Sequence, residues 1–252
     1  MYQPLLDVPP KKYFFKISIT KLCCFTVSLP LLAFLICVIM TMIKDFESAN
    51  KTHCDVPNVF PSISASIGNY EPQGTIWRTA IFFHAPFRLF FIYLRWKCYK
   101  KVVSRVFHLV VRFAVFLNFI ENLALLGITH WTSSRNYPYH EKCFKIFIAS
   151  SIIYMFLCCV MLSKYRRKIH MTRLEKFSVK LKWRVLVVNI GSFAFAAYFF
   201  LRHNRLCEPY VYSMFGFAEY IVVITNIAFH LTTVYDLQVE SILISKYGVT
   251  IE

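Results

Sequence analysis

Several common signatures are missing from this 252-residue chain, and each absence removes a class of function. No CxxC or Cys/His ligand spacing occurs among the nine cysteines and eight histidines, so no metal site is expected. There is no Gly-x-Ser-x-Gly elbow and no P-loop. The acyltransferase pairing of His and Asp across four residues is also lacking, because His230 and Asp236 are separated by five. No nucleophile stands out. Polar residues do not alternate with apolar ones along the hydrophobic stretches, which argues against a β-barrel. No internal repeat, low-complexity tract or interrupted helix pair is visible, which leaves an ion or solute transporter without support. Glycine is scarce, at six residues.

What the chain has is hydrophobic length. It is 57% hydrophobic and 18% aromatic, arranged as apolar stretches joined by short loops. Helices are expected at about 22–43, 76–94, 106–129, 146–162, 185–201 and 211–234, with one long loop at 44–75. Crossing a bilayer takes about 20 apolar residues. The expected fold is therefore all-α: a polytopic six-helix transmembrane bundle, a single membrane domain over residues 1–252. The first stretch could instead be a cleaved signal peptide. It is longer than the usual apolar region and no clear cleavage site follows, so it reads as a retained helix.

The net charge of +16 would suit a nucleic-acid binder, but the basic residues sit in the connections between spans. No nucleic acid is expected; the partners are membrane lipids. Lys11, Lys12, Lys16 and Lys21 precede the first span, and Arg95, Lys97, Lys100, Lys101 and Arg105 follow the second. The fourth-to-fifth connection carries Lys164, Arg166, Arg167, Lys168, Arg173, Lys176, Lys180, Lys182 and Arg184. The alternate loops are poorer in basic residues, which places both termini in the cytosol. Trp77, Trp96, Trp131 and Trp183 fall at span ends, where amphipathic rings prefer to lie.

Cys54, Cys143 and Cys207 then fall on the lumenal side, where disulfides persist. Three thiols allow one bridge; Cys54–Cys207 is preferred and the other pairings rank below it. The only sequon, Asn50-Lys51-Thr52, makes Asn50 a candidate for glycosylation, although it lies close to the first helix. The 44–75 loop either caps the lumenal face or is an ordinary ectodomain loop. Proline interrupts two spans, at Pro30 and Pro86.

Polar side chains inside the spans need a reason to be there. The second span carries Arg78, His84 and Arg88; the third Arg112, Asn118, Glu121 and Asn122; the sixth Glu219, Asn226 and His230. Spacings of four and seven put them on one stripe per helix, facing the bundle interior. At 1.5 Å per residue, His84, Glu121 and Glu219 each lie roughly 12 Å below the lumenal surface. Arg88 lies about 6 Å deeper and could pair with either carboxylate. A His beside carboxylates can act as a general base toward a hydroxyl, and an Arg or Asn can hold an oxyanion or phosphate. The alternative is a structural ion-pair network. Asn226 and His230 read as an interhelical hydrogen-bonding pair. At the mouth, His53, Arg78, His203 and Asn204 could receive a phosphate-bearing headgroup.

At these residues the chain resembles the post-GPI-attachment-to-proteins factor 2 family, within the broader Frag/DRAM/Sfk-type membrane group. The matching strings include Thr52-His53-Cys54, Pro61-Ser62-Ile63-Ser64-Ala65, Trp77-Arg78 with His84 and Arg88, and Glu121-Asn122-Leu123-Ala124. His140-Glu141, Arg202-His203-Asn204 with Cys207-Glu208, Glu219-Tyr220 and Thr225-Asn226 with Phe229-His230 continue the match in order. The resemblance implies a Golgi or endoplasmic-reticulum membrane protein acting in fatty-acid remodelling of GPI anchors, where lyso-GPI regains a chain at sn-2. It implies GPI lipid or GPI-anchored proteins as partners, other remodelling enzymes beside them, and acyl-CoA or phospholipid as acyl donor, with no bound cofactor. On that reading His84 is the base, Glu121 or Glu219 its orienter, and Arg88 and Asn122 hold substrate. A non-enzymatic lipid-binding or scaffold protein that presents lyso-GPI is the alternative.

Overall fold

The computed structural model describes residues 13–167, 171–237, 241–245 and 248–251. Lys11, Lys12 and Lys168, counted above for orientation, lie outside them. The elements run β1 (Tyr13–Ser18), α1 (Ile19–Lys44), α2 (Phe46–Asn50), α3 (Ile63–Gly68) and α4 (Gln73–Val102). A 3-10 turn, Arg105–Phe107, leads into α5 (His108–His130), α6 (Tyr137–Lys164), α7 (Arg173–Leu206), α8 (Val211–Leu231) and α9 (Thr233–Asp236). Strands β2 (Ser241–Ser245) and β3 (Gly248–Ile251) close the described chain.

The six long helices pack as antiparallel neighbours, α1 on α4, α4 on α5, α5 on α6 and α7 on α8. Among the described residues, five segments are long and apolar enough to cross a membrane: Ile19–Lys44, Arg105–His130, Tyr137–Lys164, Arg173–Leu206 and Val211–Asp236. Helix α4 is long enough, at 30 residues or about 45 Å. Its composition is more polar because Arg88 and Arg95 lie along it, but both point inward and are buried. Its outward face is Phe82, Phe83, Leu89 and Tyr93. Helix α7 starts well before the expected 185, held by a capping box in which the Thr172 side chain accepts from Glu175 N and Glu175 answers the Thr172 N–H.

A small sheet was not anticipated. Strand β1 pairs antiparallel with β2, and β2 with β3. Below it Ile19 and Cys23 of α1 pack with Leu237, beyond α9. Both ends of the helical chain therefore meet at one end of the bundle, the terminal end; the 44–75 connection lies at the other, the loop end.

That connection contains α2 and α3: its 57–61 stretch runs along α8, and α3 packs against α1, α4 and α8 and reaches His140 of α6. Pro57 O accepts from Tyr210 N at 2.9 Å, Val59 N donates to Ser213 Oγ at 2.7 Å, and Tyr220 OH donates to Pro61 O at 2.7 Å. Irregular backbone at this depth is tolerable because protein groups satisfy it. Gly216 permits the approach: a Cβ there would stand 2.8 Å from Phe60 O and 2.9 Å from Pro61 O.

Candidate functional site

The deepest polar assembly joins four helices. Arg88 of α4 meets Glu121 of α5, with Nη2 to Oε2 at 2.9 Å. From α8, Asn226 Nδ2 donates to Glu121 Oε1 at 2.8 Å and to Ser151 Oγ of α6 at 2.7 Å. His230 Nε2 lies 3.1 Å from Glu121 Oε1. Arg95, one heptad beyond Arg88, sends Nη1 to Tyr154 OH and to His230 Nδ1, each at 2.8 Å, and Nη2 to the His230 carbonyl at 3.0 Å. Thr233 accepts from both Nε and Nη2 of Arg95.

Both ring nitrogens of His230 face guanidinium donors, Nδ1 toward Arg95 Nη1 at 2.8 Å and Nε2 toward Arg88 Nη2 at 2.6 Å, with Glu121 Oε1 also beside Nε2. The Tyr154 ring stacks on His230 at 5.6 Å, almost parallel. Arg88 pairs with the Glu121 carboxylate, and the Arg95 guanidinium rests on the neutral acceptors Tyr154, His230 and Thr233. Every one of these side chains is buried. This assembly ties helices together; its groups are consumed by one another.

Of the residues expected to converge here, Arg88 and Glu121 do, and Glu219 and His84 do not join them through a hydrogen bond. Glu219 Oε2 accepts from Ile63 N of α3 at 3.1 Å. Glu121 instead meets Asn226 and His230, seven and eleven residues further along α8, so Glu219 lies nearer the loop end, where the 44–75 connection reaches it. His84 Nδ1 lies 2.8 Å from Thr26 O of α1. Pro30 explains this. Lacking an N–H, it leaves the carbonyl four residues earlier, Thr26 O, without its helical donor, and His84 supplies one. His84 is thus a fastener between α1 and α4, with Nδ1 as donor. Asn122 Nδ2 reaches Ala85 O at 3.4 Å, and its Oδ1 is buried without a partner. Arg112 departs from the inward stripe and is exposed.

At the loop end the Cys54–Cys207 bridge is formed, with a Cα separation of 5.3 Å. It brings the His53 and His203 rings to 5.4 Å, as expected if those cysteines pair. His203 is buried, with Nε2 3.1 Å from Thr52 Oγ1 and Nδ1 unpartnered; His53 and Asn204 are exposed. The cationic mouth is weaker than the sequence implied. Arg78 is matched by Glu71 at 2.5 Å and Arg202 by Glu208 at 2.5 Å. Those hydrogen bonds hold both carboxyl groups below the usual carboxylate range. Asn50 is buried, and its Nδ2 donates to Phe46 O at 2.9 Å.

Two basic residues counted as connection are interior. Arg95 belongs to the buried assembly, and its spacing of seven from Arg88 was the signal. Lys182 is buried and pairs with Asp236 Oδ2 at 2.8 Å, beside Ser178. Asn226 and His230 make interhelical hydrogen bonds as expected, and His230 sits at the centre of the assembly.

Comparison with known proteins matches residues 18–239 to the Frag1/DRAM/Sfk1/Cwh43P N-terminal domain. A Drosophila pseudoobscura pseudoobscura protein named Post-GPI attachment to proteins factor 2 is 43% identical over 235 residues, covering 93% of this chain and 91% of its own. Its Drosophila melanogaster counterpart of the same name is 42% identical over 227 residues, covering 90% and 89%. A Xenopus tropicalis protein named Acyltransferase PGAP2 is 35% identical over 240 residues, covering 93% of each. No solved structure matches.

Proposed function

The chain belongs to the Frag1/DRAM/Sfk1/Cwh43P family, and from that premise we propose that it is a GPI-anchor maturation factor that remodels fatty acids, acting at reacylation of lyso-GPI at sn-2. The observation that carries this reading is similarity along almost the whole chain to relatives named Post-GPI attachment to proteins factor 2 and Acyltransferase PGAP2. Its substrates are GPI lipid or GPI-anchored proteins, its acyl donor is acyl-CoA or a phospholipid, and it sits in the Golgi or endoplasmic-reticulum membrane beside other remodelling enzymes.

The topology proposed is six crossings with both ends cytosolic. The two ends of the helical chain meet at the terminal end, which requires an even number of crossings, and α4 is the sixth. Its buried arginines face partners, so its lipid face stays apolar. Exposed basic residues remain concentrated in the connections of that same end, which favours the cytosol. Residues 1–252 form one membrane domain.

The side chains divide by task. Arg88, Glu121 and His230 hold α4, α5, α6 and α8 in register, and His84 holds α1 to α4. The loop end then presents Arg78, His53 and Asn204 at headgroup level, with His203 and the bridge behind them. Expression in cells that lack their own lyso-GPI reacylation tests the reading. Mass spectrometry of GPI-anchored proteins is expected to show two-chain anchors restored. Persistence of one-chain anchors, with the protein correctly placed, would overturn it. Restoration only when a second enzyme is supplied would favour the scaffold alternative.

A further inference from the structure

The geometry points to Ser64 and His140 as the nucleophile and base of acyl transfer, an assignment that rests on the reading of this chain as a lipid-remodelling acyltransferase. Ser64 Oγ lies 2.9 Å from His140 Nε2, and His140 Nδ1 lies 2.8 Å from Trp131 O. A carbonyl only accepts, so the ring hydrogen sits on Nδ1 and the Nε2 lone pair faces the serine hydroxyl. Nucleophile, base and orienter stand in the order that activates a hydroxyl, with a peptide carbonyl in the orienter's place. The other hydroxyl–imidazole contact among the described residues, Thr52 with His203, lacks this: His203 Nδ1 has no acceptor.

Each member is rigidly placed. Ser64 is the second residue of α3, where Ser62 caps Ala65 N at 3.2 Å and Glu219 accepts from Ile63 N. His140 lies in the first turn of α6, capped by Asn136, and Trp131 ends α5. One tight hairpin therefore carries both base and orienter. Gly127 lets that hairpin close, since a Cβ there would stand 2.6 Å from Cys143 Sγ.

The pair borders a small recess of about 10 Å³ that Gly68, Trp77, Arg78 and Thr132 also line. His140 is buried and Ser64 half-buried. Beside them Trp131 and Tyr139 stack at 5.2 Å, and both reach the outer surface. Exposed aromatic rings at a helix end mark the membrane–water interface, the level of lipid ester groups. Arg78, whose Nη2 is held by Glu71 and Thr75, lines the same recess.

The chemistry balances without a redox partner. Ser64 Oγ attacks the carbonyl carbon of an acyl thioester or phospholipid ester, and its proton passes to His140 Nε2. The adduct collapses, the bond to the leaving sulfur or oxygen breaks, and His140 returns the proton to that leaving group. The free hydroxyl of a one-chain acceptor then loses its proton to His140 and attacks the Ser64 ester. The bond to Oγ breaks, and His140 reprotonates it.

A long-chain alkyl fluorophosphonate, which phosphonylates activated serines, tests this on the purified full-length protein. Peptide mass spectrometry is expected to place the label on Ser64. Labelling should vanish in Ser64→Ala and fall about 100-fold or more in His140→Gln. Acylation of lyso-GPI should fall in parallel, with the Cys54–Cys207 bridge and thermal midpoint retained. If Ser64→Ala misfolds, Ser64→Cys and the wild-type labelling site decide, the cysteine variant being expected to take a lipid iodoacetamide at residue 64. Label on another residue, or full acylation by Ser64→Ala, overturns the assignment and leaves the proposed function standing. Label on Ser64 without any two-chain product overturns that function and keeps the nucleophile. Neither label nor product overturns both.

Discussion

Replacing Glu121 by Gln keeps the shape of the side chain and removes its charge. In the folded protein that carboxylate faces Arg88 at 2.9 Å, Asn226 at 2.8 Å and His230 at 3.1 Å, and it is fully buried. No second carboxylate contacts Arg88 or Arg95 among the described residues, so the substitution leaves two guanidiniums in a low-dielectric interior with neutral acceptors only. Removing one partner of a buried pair costs about 3–5 kcal/mol. That lowers the folded-to-unfolded ratio by about two to three and a half powers of ten, at 1.4 kcal/mol per tenfold. Asn226→Ala removes interhelical hydrogen bonds alone and should cost about 0.6–2 kcal/mol. Thermal or denaturant unfolding in detergent micelles is expected to rank Glu121→Gln well below Asn226→Ala. The double variant Arg88→Met with Glu121→Leu should recover much of the loss, giving a coupling energy above about 1 kcal/mol. Wild-type stability in Glu121→Gln, or additive losses in the double variant, would refute the assignment of Glu121 as the buried partner of Arg88.

Gly216→Val is expected to push the 60–61 backbone off α8 and cost about 1–3 kcal/mol, read as a lower thermal midpoint with faster proteolysis of the 51–62 connection. Cys207→Ser opens a loop of 153 residues; chain entropy sets an upper limit of about 5 kcal/mol, and non-reducing electrophoresis with thermal unfolding measures the result. His84→Ala orphans the Thr26 carbonyl and should cost about 1–3 kcal/mol, whereas His84→Gln, which keeps a donor, should recover part of it in the same unfolding assay. Glu71 and Glu208 are held below their ordinary value of 4.5 by Arg78 and Arg202. Depressed folded values mean that both ion pairs stay intact above that value and are lost only as pH falls through the lower folded ones. Carboxyl titration of 13C-labelled Glu by NMR should therefore give midpoints beneath 4.5 for both.

The sequence displayed the bundle and part of its interior. Apolar length located every long helix, and the chemistry of the compartment narrowed the bridge to Cys54, Cys143 and Cys207, of which the preferred Cys54–Cys207 pair is formed. Helical spacing correctly aimed Arg88, Glu121 and Asn226 inward, because azimuth follows from the 3.6-residue turn. What it could not carry was the path of the 44–75 connection. Glu219 sits seven residues before Asn226, which meets Glu121, so it lies about 10 Å nearer the loop end than the expected common level, and it serves Ile63 N of α3 there. His84 was misread for a related reason: its partner is a backbone carbonyl exposed by Pro30 on another helix, and no side-chain pattern signals that. Arg95 and Lys182 were taken for loop charges because each lies in a run of basic residues at the end of an apolar stretch. Their partners, Thr233, Tyr154 and Asp236, lie far along the chain. Ser64 and His140 stand 76 positions apart, and only the fold brings them together.

Purified protein in phospholipid vesicles, given lyso-GPI with acyl-CoA and no other protein, provides the most direct measurement. The account predicts two-chain GPI whose new acyl group sits at sn-2, formed from the coenzyme A thioester or from the vesicle phospholipid. Lyso-GPI recovered unchanged with both donors, from protein whose Cys54–Cys207 bridge and thermal midpoint are native, would contradict it.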